Sequence, residues 1–440
     1  MMIYCKRLPA ISFPQFILYL TIISAFAGAH VMSVEIGEIH LFPYRYLLFF
    51  MWVIFVSAIF LNEGRLNLSH IKVKLYLQFF VLWLAYAFLS IIWAADQVKA
   101  LRDIIFLFMG VSIVFLHVYY FQNLNYLKLL FGLLLLIFIA LLPIGIWEII
   151  TGNHLKGAGL FGETRELVAA SPSTVFYNPN DYAAYIVLSL PMILVWIRLY
   201  PKLVGRMFGI LIIILGLWIL TMTYSRSCYI ALLTGFAFWF IFLLKLKGKI
   251  KMMVIGASIC ILIIIALQEQ IQDTLIIMRS EMNSVLAIGS QDDESIAVRI
   301  NLIKNALHFT AQSRGFGVGA GNAEYYMENY KIYPVGDVTN LHNWWAEILL
   351  NYGVFIFTGY VVLYISLLWN LWRIHKRVSD RTERMICESL LVGLVSFFMA
   401  SIGSSSIIAL SPHWIYFGFV LAFINYYRIS ETSRTLRCTS

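Results

Sequence analysis

The sequence is poor in charge. Only 12% of its 440 residues are Asp, Glu, Lys or Arg, whereas 61% are hydrophobic, and the mean hydropathy is +0.82. Soluble domains carry about 25% charged residues, so this balance excludes a soluble protein. The apolar runs also lack the alternation of a β-barrel, because they continue for about 18–22 residues. The composition therefore predicts an all-α, polytopic membrane protein, whose spanning backbone satisfies its own hydrogen bonds.

Cysteine is scarce too, and its pattern is uninformative. Cys5, Cys228, Cys260, Cys387 and Cys438 show neither a pairing pattern nor metal-ligand spacing. We therefore expect no disulfide framework and no cofactor.

One acidic cluster lies in the first predicted outer loop, where Glu35, Glu38 and His40 offer metal-type ligands. We interpret this cluster as a solvated loop and expect no metal site. Activity through Glu35 and Glu38 as metal ligands is the alternative. The net charge is +9, and the distribution of the Lys and Arg residues along the chain is explained by membrane topology. We therefore expect no nucleic-acid partner.

The apolar runs predict about twelve spans, near 12–31, 43–61, 75–94, 103–121, 129–150, 182–198, 207–223, 227–244, 252–268, 344–370, 386–406 and 413–427. They divide the chain into an N-terminal bundle (1–150), a first outer loop (151–181), spans six to nine (182–268), a large outer loop (269–341), and spans ten to twelve with a tail (342–440).

Lysine and arginine distribution predicts the orientation. With the N-terminus inside, 21 of the 32 Lys and Arg residues fall on the cytoplasmic side, although the long loops lie opposite. By the positive-inside rule, both termini should be cytoplasmic. We expect a multi-pass protein of the bacterial plasma membrane, embedded in the lipid bilayer, with its chemistry in the two outer loops.

The stretch 340–353 is the most informative, since it re-enters the membrane after the large outer loop. Asn343, Glu347, Asn351 and Thr358 share one face of a helix there, and a polar stripe in lipid should face a protein interior or a cavity. His342 precedes that helix, where the positive end of the dipole favours a neutral ring that can act as a base. A helix cap with a structural stripe is the alternative.

Two cations accompany this stretch. Arg226 lies between hydroxyl residues in the short outer turn 223–227, and Arg299 lies on a helix with an apolar face at Ile296, Ile300, Ile303 and Leu307. We expect that helix to lie on the outer membrane face. The two guanidinium groups would bind a diphosphate. Snorkelling or headgroup-facing side chains are the alternative, as we expect for Arg45 and Arg102.

Several smaller features complete the outer side. In Asn178-Pro179-Asn180-Asp181, either Asn180 or Asp181 suits an N-cap, and the amides would otherwise contact a sugar or phosphate. The glycine-rich turn 315–321 predicts a close backbone approach rather than a nucleotide site. Sugar stacking and an interfacial position are both open for Trp344, Trp345 and the loop tyrosines, and we expect His413 to be interfacial.

Together these motifs resemble the O-antigen ligase and Wzy-type polysaccharide polymerase superfamily. The resemblance is carried by His342-Asn343 with Glu347 and Gly353, by Ser225-Arg226, by Arg299 before a glycine-rich turn, and by the Asn178-Pro179-Asn180 motif. It implies a GT-C-like, metal-independent, inverting glycosyltransferase whose donor is a glycan on undecaprenyl diphosphate. It further implies that His342 activates the acceptor, Arg226 and Arg299 hold the diphosphate, Glu347 orients the site, and Asn178, Asn180 and Asn343 contact substrate.

Three functional hypotheses remain open at this point. The first is a polymerase of lipid-linked repeat units for a surface polysaccharide such as teichuronic acid, capsule or O-antigen, working with a flippase and a chain-length regulator. The second is an O-antigen ligase that transfers the polymer to lipid A–core. The third is a lipid-linked oligosaccharide flippase or transporter, against which stands the absence of an inverted repeat in the sequence.

Overall fold

The computed structural model describes residues 11–28, 34–36, 39–61, 68–162, 170–199, 202–245, 250, 294–404 and 407–439. The first five helices are α1 (Phe13–Ser24), α2 (Pro43–Leu61), α3 (Lys74–Ser90), α4 (Gln97–Tyr120) and α5 (Leu124–Thr151). Next come α6 (Pro179–Leu199), α7 (Leu203–Met222) and α8 (Arg226–Phe238), which ends in a π-helical turn at Trp239–Leu243. The last five are α9 (Glu294–Gln312), α10 (Ala323–Asn329), α11 (Trp344–Arg377), α12 (Arg381–Ala400) and α13 (Ser411–Thr439).

The predicted helical membrane protein is confirmed in outline. Within the described ranges, seven helices are long and apolar enough to cross a membrane, namely α2, α4, α5, α6, α7, α8 with its π-helical turn, and α11. The shorter apolar helices α1 and α3, and helices α12 and α13, coincide with four more predicted spans. The predicted span at 252–268 lies outside the described residues. One departure from all-α is a short antiparallel hairpin of β1 (Val34–Ile36) and β2 (Ile39–Leu41).

Burial differs strongly between the helices. In α6, 72% of the most apolar 18-residue window is buried, but only 22–28% in α2, α7 and α8. The outer helices expose large apolar side chains such as Phe49, Val204 and Leu233, which are 67–81% accessible. Residues 413–425 of α13 are buried as continuously as residues 181–193 of α6. Helices α6 and α13 therefore form the centre of the bundle, and the peripheral helices present apolar faces suited to acyl chains.

Charged side chains mark one end of the bundle. Arg198 at the end of α6 forms an ion pair with buried Glu388 near the start of α12, and its guanidinium lies 5.7 Å from the Trp239 ring centroid. His375 near the end of α11 lies 3.6 Å from the same carboxylate. These residues lie at or near the ends of α6, α8 and α11 and the start of α12. The opposite end of the bundle therefore holds the starts of α6, α8 and α11 and the end of α12.

Helix α11 is interrupted at Gly353, which has φ +77° and ψ −179°. The glycine-rich turn 315–321 fits into this break. Three backbone hydrogen bonds join them: Val318 N to Leu350 O at 2.8 Å, Gly319 N to Asn351 O at 3.1 Å, and Val354 N to Gly315 O at 2.8 Å. The turn thus replaces helical hydrogen bonds that the break removes, as a buried backbone requires.

The same turn also contacts the end of α3. Three hydrogen bonds connect them: Tyr86 Oη to Phe316 O at 2.7 Å, Trp93 Nε1 to Gly317 O at 3.2 Å, and Ala320 N to Ser90 Oγ at 3.0 Å. A Cβ atom on Gly317 would lie 2.6 Å from Gly353 N, so the predicted close backbone approach is confirmed.

Helix α9 is also confirmed, but the expected apolar face is not the one that holds it to the protein. Its buried side chains are Leu302, Ala306 and Phe309, which pack in one cluster with residues of α10 and α11. Ile300, Ile303 and Leu307 on the opposite side are 37–54% exposed. The helix therefore has two apolar faces, one packed on the protein and one left open, and the open face is suited to a membrane surface.

Candidate active site

His342 precedes α11 in a conformation that L-residues rarely adopt, with φ +46°. Its backbone N–H donates to Asn340 Oδ1 at 2.8 Å, and Asn340 Nδ2 donates to Glu324 Oε1 at 2.8 Å. A left-handed conformation outside glycine costs about 1–3 kcal/mol and is concentrated at functional sites. The local network therefore holds the backbone of His342 in this conformation at a stability cost.

The environment of the His342 ring favours its neutral form. Burial lowers the pKa of His342, and the positive charge of Arg299 lowers it further, while the carboxylate of Glu324 acts in the opposite direction. Nδ1 is buried and has no hydrogen-bond partner among the described residues. This effect of Arg299 agrees with the predicted proximity of the two side chains, and a ring whose neutral form is favoured can accept a proton.

The predicted polar stripe divides into three roles. Asn343 is the N-cap of α11 and accepts from Trp345 N at 3.1 Å and Ala346 N at 3.2 Å. Asn351 is buried and accepts from the backbone of α10, whereas Glu347 lines a cavity. Thr358 is exposed, because the break at Gly353 re-aims the rest of the helix, so its predicted place in the stripe was wrong.

Arg226 is the first residue of α8, next to the turn that follows α12. Trp344 N donates to Ser401 O at 3.0 Å, which places the start of α11 against that turn. A Cβ atom on Gly403, two residues further on, would lie 2.0 Å from Ser227 Oγ. Arg226 and His342 therefore lie beside the same turn. A cation at a helix N-terminus opposes the helix dipole, but there the cation and the backbone N–H groups together suit an anion.

The Asn178–Asp181 turn opens α6 at the same end of the bundle. Asn178 accepts from Asp181 N at 3.1 Å and so caps the helix, which starts at Pro179. The predicted cap at Asn180 or Asp181 was wrong by two or three residues. Asn180 is partly exposed and Asp181 is buried.

Burial decides between the two interpretations left open for Trp344 and Trp345, and it corrects the prediction for His413. Trp344 is buried, with Nε1 donating to Tyr360 Oη at 2.9 Å, and Nε1 of half-buried Trp345 donates to Ser401 Oγ at 3.0 Å. These two rings anchor α11 and do not suit sugar stacking. His413 is buried with its ring 4.6 Å from both the Phe397 and the Phe417 centroids, so it is not interfacial.

A polar cavity of about 190 Å³ lies between α4, α10 and α11, next to this network. Its charged or amide-bearing lining residues are Lys99, Arg102, Asp103, Glu324, Glu347 and Asn351. Sequence reasoning missed Lys99 and Glu324 and assigned Arg102 to snorkelling. The only signal was Lys99 and Arg102 three residues apart at the start of an apolar helix.

Within the described part of the chain, no three His, Cys, Asp or Glu side chains are grouped as a metal site would require. Glu35 and His40 are directly paired across the hairpin β1–β2, and Glu38 lies outside the described residues.

Comparison with known proteins identifies the same region. The sequence model of the O-antigen ligase family matches residues 210–361. This range contains both arginines, the histidine and the glutamate described above, but not the turn that opens α6. The chain is also similar to the teichuronic acid biosynthesis protein TuaE of Bacillus subtilis (strain 168). The two are 29% identical over 416 residues, which are 94% of this chain and 85% of that protein. The resemblance expected from the sequence is thereby confirmed.

Proposed function

We propose that this chain, which carries an O-antigen ligase family match over residues 210–361, polymerises oligosaccharide repeat units linked to undecaprenyl diphosphate. The family match and the relative support a polymerase or ligase role in the synthesis of a cell-surface glycan. Teichuronic acid or a similar polysaccharide is the proposed product, because the relative is named for teichuronic acid biosynthesis. The observation that carries the proposal is the strained backbone of His342, whose pKa is lowered by burial and by the charge of Arg299.

The proposed reaction needs a base, an anion site and an orienting group. His342 takes the proton from an acceptor hydroxyl as its oxygen attacks the anomeric carbon of the donor glycan. The bond from that carbon to the phosphate oxygen breaks, and the diphosphate leaves with the electron pair. Arg226 and Arg299 stabilise the departing charge, as guanidinium groups do for phosphates. Attack opposite the leaving group inverts the anomeric centre, and Glu347 orients the acceptor.

The proposed orientation puts this chemistry at the outer face of the plasma membrane. The site lies at the bundle end opposite Arg198 and Glu388, and the Lys and Arg distribution assigns the latter end to the cytoplasm. The donor and acceptor are then lipid-linked glycans delivered by a flippase, and a chain-length regulator is a further proposed partner. The reaction needs no metal, so polymerisation by the purified protein should persist in excess EDTA.

A ligase is the second candidate, because the matching family is described as O-antigen ligase. The glycan that accumulates in an inactive variant distinguishes a polymerase from a ligase. Loss of a polymerase leaves single repeat units on the lipid carrier. Loss of a ligase instead leaves long polymer on the carrier, unattached to lipid A–core.

The test is His342→Asn, since Asn tolerates a left-handed backbone and cannot act as a base at neutral pH. We expect polymer formation to fall about 10²- to 10⁴-fold, the usual contribution of a general base. His308→Asn is the matched control, because His308 is exposed on α9 and outside the proposed mechanism. A full glycan ladder from well-expressed His342→Asn would overturn the proposal.

A further inference from the structure

A second group of cations lies away from the proposed diphosphate site. The guanidinium groups of Arg45 and Arg102 lie 5.6 and 5.7 Å from the centroid of the same Phe106 ring. Lys99, one turn before Arg102 on α4, lies 5.7 Å from the Tyr325 ring centroid. Both Lys99 and Arg102 line the 190 Å³ cavity, as does Phe106. Arg45 and Arg102 repel each other, so an anion near them would be bound favourably. Lys99 already lies 4.0 Å from the exposed Glu328 carboxylate, which a bound anion would replace as its partner.

The opposite wall of the cavity is acidic. Glu324 on α10 and Glu347 on α11 both line it, and carboxylates accept hydrogen bonds from sugar hydroxyls. The remaining acid, Asp103, accepts from the buried Tyr352 hydroxyl. A volume of about 190 Å³ is below the roughly 300–1,000 Å³ of pockets for drug-sized ligands, which suits one sugar ring. The cavity therefore combines groups for hydroxyls with groups for one negative charge.

Hydrogen bonds also link a wall of this cavity to the backbone of His342. Glu324 lines the cavity and binds Asn340, which in turn binds the backbone of His342. A sugar bound there would contact Glu324, two hydrogen bonds away from the backbone of the proposed base, whereas the donor diphosphate is assigned to Arg226 and Arg299. We infer that this cavity is the acceptor-sugar subsite and that Lys99 and Arg102 bind an anionic group on the acceptor. This inference rests on the proposed function.

Two parts of an acceptor can supply the anion. One is the carboxylate of an acidic sugar, and the other is the diphosphate of the acceptor's own lipid carrier. Guanidinium groups bind both as oxyanions. The chemistry at the cavity is the same in either case, so the acceptor must be varied to distinguish them.

The experiment uses the purified full chain with Lys99→Gln, Arg102→Gln and the charge-conserving Arg102→Lys. Lys304→Gln is the matched control, a cation on α9 outside the cavity. We expect each Gln variant to raise the acceptor KM about tenfold, as a lost hydrogen bond to a charged group does. The donor KM should not change, and Arg102→Lys should recover part of the acceptor affinity.

Three acceptors locate the anion: an acidic repeat unit on a lipid diphosphate, its carboxyl-reduced form, and the acidic unit on a neutral alkyl chain. If the carboxylate is recognised, the Gln variants match wild type on the carboxyl-reduced acceptor. If the diphosphate is recognised, they match wild type on the neutral alkyl acceptor. An unchanged acceptor KM, or an equal rise in donor KM, would overturn the subsite.

Equilibrium binding separates this inference from the proposed function. Should wild type bind the acidic acceptor about tenfold more tightly than Arg102→Gln but form no polymer, the subsite stands and the polymerase proposal falls. Equal binding by the two proteins would overturn the subsite whatever the activity.

Discussion

Two charges of opposite sign shift the pKa of His342, and the sequence revealed only one of them. Arg299 was predictable because its helix has a clear apolar period and an outward cation. Glu324 was not, because it reaches His342 through the side chain of Asn340 and no periodicity links them. Individual side-chain bridges between non-adjacent segments leave no repeating pattern in a sequence.

The pH dependence of activity should report these two charges separately. Arg299 disfavours the imidazolium form and lowers the pKa of His342, so Arg299→Gln should raise that pKa and move the acid limb of kcat/KM to higher pH. Glu324 favours the imidazolium form, so Glu324→Gln should move the limb to lower pH. At the plateau, Arg299→Gln should lose about 10- to 100-fold in kcat/KM, the cost of one charge-assisted hydrogen bond.

The profile should be measured by initial rates across the acid range. Lys304→Gln serves as the control on the same helix and should leave the limb in place. Shifts in the same direction for Arg299→Gln and Glu324→Gln would contradict the assignment of His342 as the titrating base.

At the scale of elements, the sequence predicted helices well and their interruptions poorly. The polar stripe was extended to Thr358 on the assumption of a continuous helix, which Gly353 breaks. The glycine-rich turn was expected to approach other backbone closely, but its partner in α11 is 32–39 residues away along the chain. Hydrophobic periodicity carries no information about where a loop fills a gap in a distant helix.

The fit of the glycine-rich turn into α11 predicts a difference between two glycine substitutions. Gly353 and Gly336 both have positive φ, at +77° and +58°, so alanine at either position costs about 1–3 kcal/mol in backbone strain. The strain is greater at Gly353, because its ψ of −179° belongs to a region that essentially only glycine adopts. At Gly353 the new Cβ would also lie 2.2 Å from Gly315 O, whereas nothing lies within 4 Å at Gly336. We therefore expect Gly353→Ala to lower the melting temperature in detergent more and to lose activity.

Gly336→Ala is the control for an alanine at a positive φ with no neighbouring atom in contact. Equal losses of melting temperature in the two variants would show that the turn does not depend on close packing in the break. Activity of Gly353→Ala at the wild-type level would show that the α11 break is not needed to place Glu347.

At the scale of the whole molecule, hydropathy predicted where the apolar helices lie but not which helices are neighbours. Eleven of the twelve predicted spans coincide with helices in the described ranges, and the remaining one, at 252–268, lies outside them. Nothing in composition indicated that α6 would be central or that the starts of α6, α8 and α11 would meet. Such neighbours are decided by which small or shaped side chains allow close packing, as at Gly403 against Ser227.

The orientation of the bundle can be tested by labelling introduced cysteines in a background without native cysteines. Tyr330 follows α10 and is 52% exposed at the site end, and Ser379 is exposed between α11 and α12 at the Glu388 end. A membrane-impermeant maleimide should label Tyr330→Cys in intact cells and Ser379→Cys only after permeabilisation. The reverse pattern would place His342 in the cytoplasm, on the side where lipid-linked glycans are assembled rather than the side to which a flippase delivers them. Since the proposed polymerase takes both substrates after that delivery, it could not then reach either one.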